Sequence, residues 1–249
     1  LLLANFSPDG PAVFIALLNL ATIVLIYFVA QKWFNRSIGL IAAFLFALSP
    51  VVIKYSNFIW NPNIMPLFSL LFIYFFFEAI ISQKYRYFIW ASLSFVMVIN
   101  SHYLGLALLP FPGLCWLFHL YQQVKTKSKQ LKPFLKNSFI AILIFILSLT
   151  PQVLFDIKHN GQNIKALINF FTYRETTVSI KPYKAIPQLP SIFNQVNTDL
   201  LAAKNQQLGL IISLIFAILI GIYLFTNKNK KPYFWVVFGW YLSGLSALA

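Results

Sequence analysis

Residues 11–36 read PAVFIALLNLATIVLIYFVAQKWFNR: twenty-one residues without a charge from Pro11 to Gln31, closed by Lys32 and Arg36. A hydrocarbon core about 30 Å thick is crossed by about 20 apolar residues in a helix, so this stretch is a membrane span followed by a basic loop. The same unit recurs along the chain. Further apolar runs cover Ile38 to Tyr55, Pro62 to Ser82, Tyr87 to Ser101, Tyr103 to Tyr121, Ser138 to Phe155, Leu208 to Phe225 and Tyr233 to Ala249. The expectation is an all-α, polytopic bundle of about eight spans, forming a single transmembrane domain over 1–249.

Composition agrees, with 59% hydrophobic, 18% aromatic and only 10% charged residues. A water-soluble domain carries about a quarter charged residues. Twelve of the nineteen basic residues sit in the connections Lys32 to Arg36, Lys84 to Arg86, Lys125 to Lys136 and Lys228 to Lys231. The positive-inside rule makes those four loops cytoplasmic. Asn5 to Gly10, Lys54 to Asn61, Asn100 to Tyr103 and the stretch 156–207 then face the other side. The net charge of +14 therefore reads as orientation and contact with anionic lipid headgroups, and a nucleic-acid partner is not indicated. The chain opens on the outer side with Leu1 and shows no charged signal-peptide n-region, which predicts a truncated N-terminal part and a further span upstream. Cys115 is the single cysteine; it forms no intrachain disulfide, and burial is its expected role.

The loop 156–207 is much longer than the usual helix connection and is the first place to seek function. Ile164, Leu167, Ile168 and Phe171 fall at helical spacing within Asn163 to Tyr173, an element suited to the membrane interface. Lys181 to Tyr183 and Ile186 to Pro190 are proline-rich and expected extended, with a second short helix somewhere in Ser191 to Gln207.

Three polar clusters lie on the outer face. In Tyr55-Ser56-Asn57-Phe58-Ile59-Trp60-Asn61-Pro62-Asn63, the prolines at 50, 62 and 66 interrupt helices and free backbone groups that need polar partners. Asn61 and Asn63 have the donors and acceptors to meet sugar hydroxyls, and Trp60 offers a flat face for a pyranose ring. An interfacial aromatic anchor with helix-capping asparagines fits those residues equally well. The second cluster, Asn100-Ser101-His102-Tyr103, brings an imidazole to the membrane surface, where it binds a phosphate or simply bonds to backbone. The third, Thr150 to Asn160, carries Asp156, Lys158 and His159. If its helix runs to Asn160, Asp156 and His159 share a face and the carboxylate orients the ring. Lys158 and His159 would supply cationic donors at headgroup depth, against the plainer reading of a snorkelling lysine and a surface ion pair. Charge beside the hydrocarbon is costly, which singles out Asp156 among only five acidic residues.

Other ionisable groups have simpler expectations. Glu78 is placed to pair with Lys84 or Arg86, His119 to cap a helix near the cytoplasmic side, and Asp9 to form a turn or to serve as an acid near an outer cavity. Arg174, Glu175 and Asp199 are expected in solvent. Asn5-Phe6-Ser7 matches a glycosylation acceptor, a pattern short enough to occur by chance.

The run Gly39-Leu40-Ile41-Ala42-Ala43-Phe44-Leu45-Phe46-Ala47-Leu48-Ser49-Pro50, followed by Tyr55-Ser56 and Asn61 to Tyr74, resembles the GT-C superfamily of membrane glycosyltransferases. It is most similar to bacterial relatives of protein O-mannosyltransferases and aminoarabinose transferases. Tyr27 to Phe34 fits the same pattern, and Pro151 to Asn160 looks like a motif found after a later helix in some bacterial members. The resemblance implies transfer of a hexose or pentose from a polyprenyl-phosphate donor to an extracytoplasmic glycan, lipid or protein, in the bacterial inner membrane. It also places the main catalytic acid in a first outer loop, upstream of Leu1, leaving Asp156 and Asp9 as assisting carboxylates. Lys158, His159 and His102 would hold the donor phosphate, and Trp60, Asn61, Asn63 and Tyr103 the sugar or acceptor. Many relatives carry an aspartate soon after the Tyr-Ser pair, where this chain has Asn61, Pro62 and Asn63. That departure weakens the case for a metal: no cofactor is expected, and a divalent metal stays open. A lipid-linked saccharide flippase and a noncatalytic scaffold are the rival classes. The first calls for charged residues at mid-membrane and a repeat relating two halves, neither of which is visible. The second needs no polar outer clusters.

Overall fold

A computed structural model describes residues 9–172, 186–226 and 232–248, and these form helices joined by short turns. Helices α1 (Asp9–Trp33), α2 (Arg36–Ala47), α3 (Pro50–Tyr55), α4 (Met65–Ile81), α5 (Tyr87–Ser101), α6 (Pro110–Lys125), α7 (Leu131–Ser148), α8 (Thr150–Lys158), α9 (Gln162–Thr172), α10 (Leu189–Leu201), α11 (Gln206–Thr226) and α12 (Pro232–Leu248) follow in order, with short 3₁₀ turns between some of them. Five segments among the described residues, 9–33, 61–81, 103–125, 131–158 and 206–226, are long and apolar enough to cross a membrane; α2 and α5 are shorter apolar helices. Large apolar side chains stand exposed along α1 (Phe14, Leu17, Val24, Phe28) and α11 (Ile211, Leu214, Ile218, Ile222). Surfaces of that extent are solvated by lipid tails. The all-α membrane bundle expected from the sequence is the fold.

Proline placement sets several helix boundaries that hydropathy alone ran through. The run Ile38 to Tyr55 is two helices, since Pro50 lacks an N–H and begins α3. Tyr103 to Tyr121 opens as a 3₁₀ turn, Tyr103–Leu108, and becomes α-helical at Pro110. The run Ser138 to Phe155 starts earlier, at Leu131, so Lys132 and Lys136 lie on the first turns of α7 rather than in the basic loop. Pro151 then opens α8. Ile186–Gln188, expected extended, is a 3₁₀ turn leading into α10, because Pro187 and Pro190 occupy helix-start positions where a missing N–H costs nothing. Arg174, Glu175, Lys181 to Tyr183, Asn5 to Ser7 and the basic connection 228–231 lie outside the described residues.

The chain forms two compact units, one of residues 1–67 and 181–249 and one of residues 68–180. In the first, α1 and α2 fold back on each other around Gly39, whose missing side chain lets α2 approach the Tyr27 carbonyl; a Cβ there would sit 2.8 Å from that oxygen. Asn35 caps α2 by accepting the Ile38 N–H at 2.9 Å. Helix α10 packs on α11 at Thr198 and Gly209, beside a polar chain in which Asn197 Nδ2 donates to Ser213 Oγ and that hydroxyl donates to Asn194 Oδ1, both at 3.1 Å. Trp33 stacks on Tyr233 of α12 with ring centres 5.0 Å apart.

In the second unit an aromatic core built on Tyr85, Phe88 and Phe134 joins α5, α6 and α7. Ser92 Oγ donates to the Ala141 carbonyl at 2.7 Å, and Trp116 Nε1 to Ser138 Oγ at 3.0 Å. His119 is no helix cap. It is buried inside α6, where its Nε2 lies 3.0 Å from the Tyr85 hydroxyl and 3.2 Å from Gln123 Nε2. Burial pushes the Tyr85 phenol up, which keeps it a hydroxyl able to donate.

Candidate functional site

In the second unit, the C-terminal end of α5, the turn after it and α7 to α9 enclose a cavity of about 840 Å³. His102, Tyr103 and Asp156 all line it, so two of the three sequence clusters meet there. Local geometry explains the meeting. Helix α5 ends at Ser101, and His102 reverses into extended backbone and caps the following 3₁₀ turn, its Nδ1 accepting the Leu104 N–H at 3.1 Å. Gly105 allows that turn to lie against Val98; a Cβ would fall 2.4 Å from its Cγ1. An accepting Nδ1 places the ring proton on Nε2, so the neutral His102 presents an N–H donor.

Asp156 is 8% exposed, and its carboxylate is already engaged. One oxygen accepts the Asn163 N–H at 2.7 Å and the other the Ile164 N–H at 3.1 Å, which satisfies open donors at the start of α9. Asn160 (φ 54°) and Gly161 (φ 73°) make the intervening left-handed turn, and the Gly161 N–H returns to the Asp156 carbonyl at 2.7 Å. The predicted Asp156–His159 pair does not form. Helix α8 ends at Lys158, and the His159 ring stacks on Phe155 with centres 4.0 Å apart while its Nδ1 meets the Phe155 carbonyl at 2.8 Å. His159 thus offers Nε2 as a lone pair when neutral and as a donor only when protonated. Lys158 is exposed at the end of α8, and neither it nor His159 lines the cavity.

The sequence clusters held two amides that were not singled out, Asn100 and Gln152. They join across the cavity wall, Gln152 Nε2 donating to Asn100 Oδ1. The signal was there in principle, since each is a polar residue at the end of an apolar run, but only the fold brings α5 and α8 together. A second cavity, of about 470 Å³, is lined by Phe72, Phe76, Phe88, Phe95, Trp116 and other mostly apolar groups of the same unit. Phe145 stands in both walls. A chamber that sets polar groups among apolar walls and an apolar groove therefore adjoin.

The first cluster lies in the other unit. Trp60 is 52% exposed and Asn61 is exposed, whereas Asn63 is tied inward, its Nδ2 donating to the Tyr55 and Phe58 carbonyls at 3.1 and 2.7 Å. Asn19 of α1 reaches the Ser56 carbonyl at 3.4 Å. These amides satisfy carbonyls released by the break in helix that the prolines impose. Asp9 is exposed at the start of α1. Among the described residues no three His, Cys, Asp or Glu side chains gather as a metal site.

Against known proteins, residues 1–149 match the family model described as dolichyl-phosphate-mannose-protein mannosyltransferase. No curated protein and no solved structure matches the chain.

Proposed function

The chain belongs to the dolichyl-phosphate-mannose-protein mannosyltransferase family, membrane glycosyltransferases that use polyprenyl-phosphate sugar donors, and from that premise we propose that its second unit holds the donor. The observation that carries this reading is the junction of chamber and groove at Phe145. A polyprenyl-phosphate sugar is itself an apolar tail joined through phosphate to a polar ring, so a tail in the groove and a sugar against the chamber's few polar groups suit its chemistry. His102 contributes an N–H donor to the phosphate or its bridging oxygen, with Lys158 and protonated His159 as charged donors at the chamber's approach. Tyr103 contacts the sugar. Trp60, Asn61 and Asn63 remain the candidate acceptor contacts.

In the reaction, a hydroxyl oxygen of the acceptor bonds to the sugar's anomeric carbon as the bond from that carbon to the phosphate oxygen breaks. Polyprenyl phosphate leaves, and the hydroxyl proton passes to a carboxylate base, with Asp9 and Asp156 in assisting roles. The leaving group is good enough for the step to proceed without a cofactor, and a divalent metal stays open. Loop charge supports an extracytoplasmic chamber, and the resemblance to bacterial members supports a bacterial cell membrane, with a glycan, lipid or protein as acceptor of the sugar. The test is transfer of radiolabel from hexosyl and pentosyl polyprenyl phosphates in membranes carrying the full-length protein, comparing wild type with His102→Ala, Lys158→Ala and His159→Ala. A loss of roughly 10–100-fold in His102→Ala at unchanged membrane abundance is expected for a donor to a charged group. Absence of donor-dependent labelling by wild type would overturn the assignment and favour the flippase.

A further inference from the structure

Seven basic residues and no acidic one lie between Glu78 and Asp156 in the sequence, and the fold brings the seven to one end of the second unit. Tyr85 is the reason. It is buried between the exposed Lys84 and Arg86, its hydroxyl lies 3.0 Å from His119 Nε2 of α6, and its ring centre lies 5.2 Å from that of the buried Phe134 of α7. Phe134 is flanked in turn by Lys132 and Lys136, both exposed on the first two turns of α7. Four cations from two separate turns of chain therefore flank a single aromatic contact. Lys125, Lys127 and Lys129 continue the exposed charge along the α6–α7 connection. Glu78 is buried, Asp156 holds the start of α9, and none of the seven cations forms an ion pair among the described residues.

That grouping is unfavourable for the protein on its own. Like charges four residues apart on a helix repel, and the first turns of a helix are where its dipole disfavours cations. Anionic oxygens offset both effects. Leu135 and Phe139 are exposed three positions after Lys132 and Lys136, so on one stripe of α7 cations give way to apolar side chains as phosphate gives way to acyl chain in a phospholipid. Lys125 Nζ lies 5.7 Å from the ring centre of the exposed Tyr121, which sets an aromatic at the same boundary. We propose that this end of the second unit is a binding site for one anionic phospholipid. Lys84 and Arg86 from one side and Lys132 and Lys136 from the other hold its phosphate, and Leu135 and Phe139 lie along its acyl chains. Net charge alone calls for diffuse attraction to a charged leaflet, whereas cations shared between two turns of chain hold a single headgroup. The site is at the end of α7 away from Phe145 and the chamber, and it does not rest on the donor reading.

The test measures binding of phosphatidylglycerol, with phosphatidylcholine as the neutral control, to the full-length protein purified in an uncharged detergent. Wild type is expected to bind phosphatidylglycerol roughly tenfold or more tightly than phosphatidylcholine, with the preference shrinking as salt rises. Lys84→Gln/Arg86→Gln and Lys132→Gln/Lys136→Gln should each lower that affinity roughly 10–30-fold, the loss expected for two cations at an anionic surface. Lys54→Gln/Lys204→Gln removes the same charge from exposed residues of the first unit and should leave it unchanged. If the glutamine variants do not reach the membrane, amine acylation of wild type decides: phosphatidylglycerol, and not phosphatidylcholine, should protect Lys84, Lys132 and Lys136 while Lys204 stays reactive. Equal affinity for the two lipids, an equal loss in all three double variants, or no protection of those lysines would overturn the site. Preference for inorganic polyphosphate over phosphatidylglycerol would also overturn it, by making this face a seat for a soluble polyanion.

Discussion

Asp156 shows how one side chain's partners change its meaning. From sequence it was a carboxylate beside the membrane and a candidate base; in the fold both oxygens hold the first amides of α9. That geometry makes anchoring its first task. Asp156→Ala should expose the start of α9, seen as faster hydrogen exchange over 162–166, with about 1 kcal/mol of local stability lost. Asp156→Asn keeps an accepting oxygen, and transfer should stay within about tenfold of wild type. A fall beyond about 100-fold with α9 still protected would make the carboxylate the base instead. The two histidines part company in the same way. Each uses Nδ1 on backbone, but His102 accepts there and His159 meets a carbonyl, so their free nitrogens have opposite character.

Helices here are joined by small residues and short polar links, the usual means of association where lipid removes most of the hydrophobic drive. Helices α10 and α11 are the tightest case. A Cβ on Gly209 would lie 1.9 Å from Thr198 Oγ1 and 2.9 Å from Thr198 Cα. Gly209→Ala must therefore move backbone as well as side chain, and should cost about 1–3 kcal/mol, read as a lower unfolding temperature in detergent. Adding Thr198→Ala should restore only part of it, because the approach of the Thr198 Cα persists. Helix α8 was read as the end of the sixth span, while the position of α9 was anticipated by periodicity to within a residue. Their turn was not, since it depends on Asn160 and Gly161 entering the left-handed region together.

Across the second unit, the adjoining chamber and groove make a prediction about substrate length. Gly113 lines the groove, and a Cβ there meets nothing within 4 Å. Gly113→Phe should fill the groove without disturbing packing. The expected result is a KM for a long-tailed donor raised about tenfold, equivalent to losing about two buried methylenes, with little change for a donor whose tail is cut short. Equal effects on both donors would place the tail elsewhere.

Hydropathy and loop charge were sufficient for the membrane class and the helical fold, because a lipid-embedded backbone has few ways to satisfy itself and about 20 apolar residues announce each crossing. The residue pattern of Gly39 to Pro50 and its sequel was likewise enough for the family, since that signal is local. Side-chain partnership was not legible. His102, Tyr103 and Asp156 were named singly, but their common chamber requires α5 and α8 to converge. Asn63 read equally as ligand or structure until its amide was found on two carbonyls. Gln152 became conspicuous only when the fold set it beside Asn100 of α5, fifty-two residues away in sequence. Hydrogen-bond direction depends on geometry at the ångström scale, and only the tertiary structure supplies it.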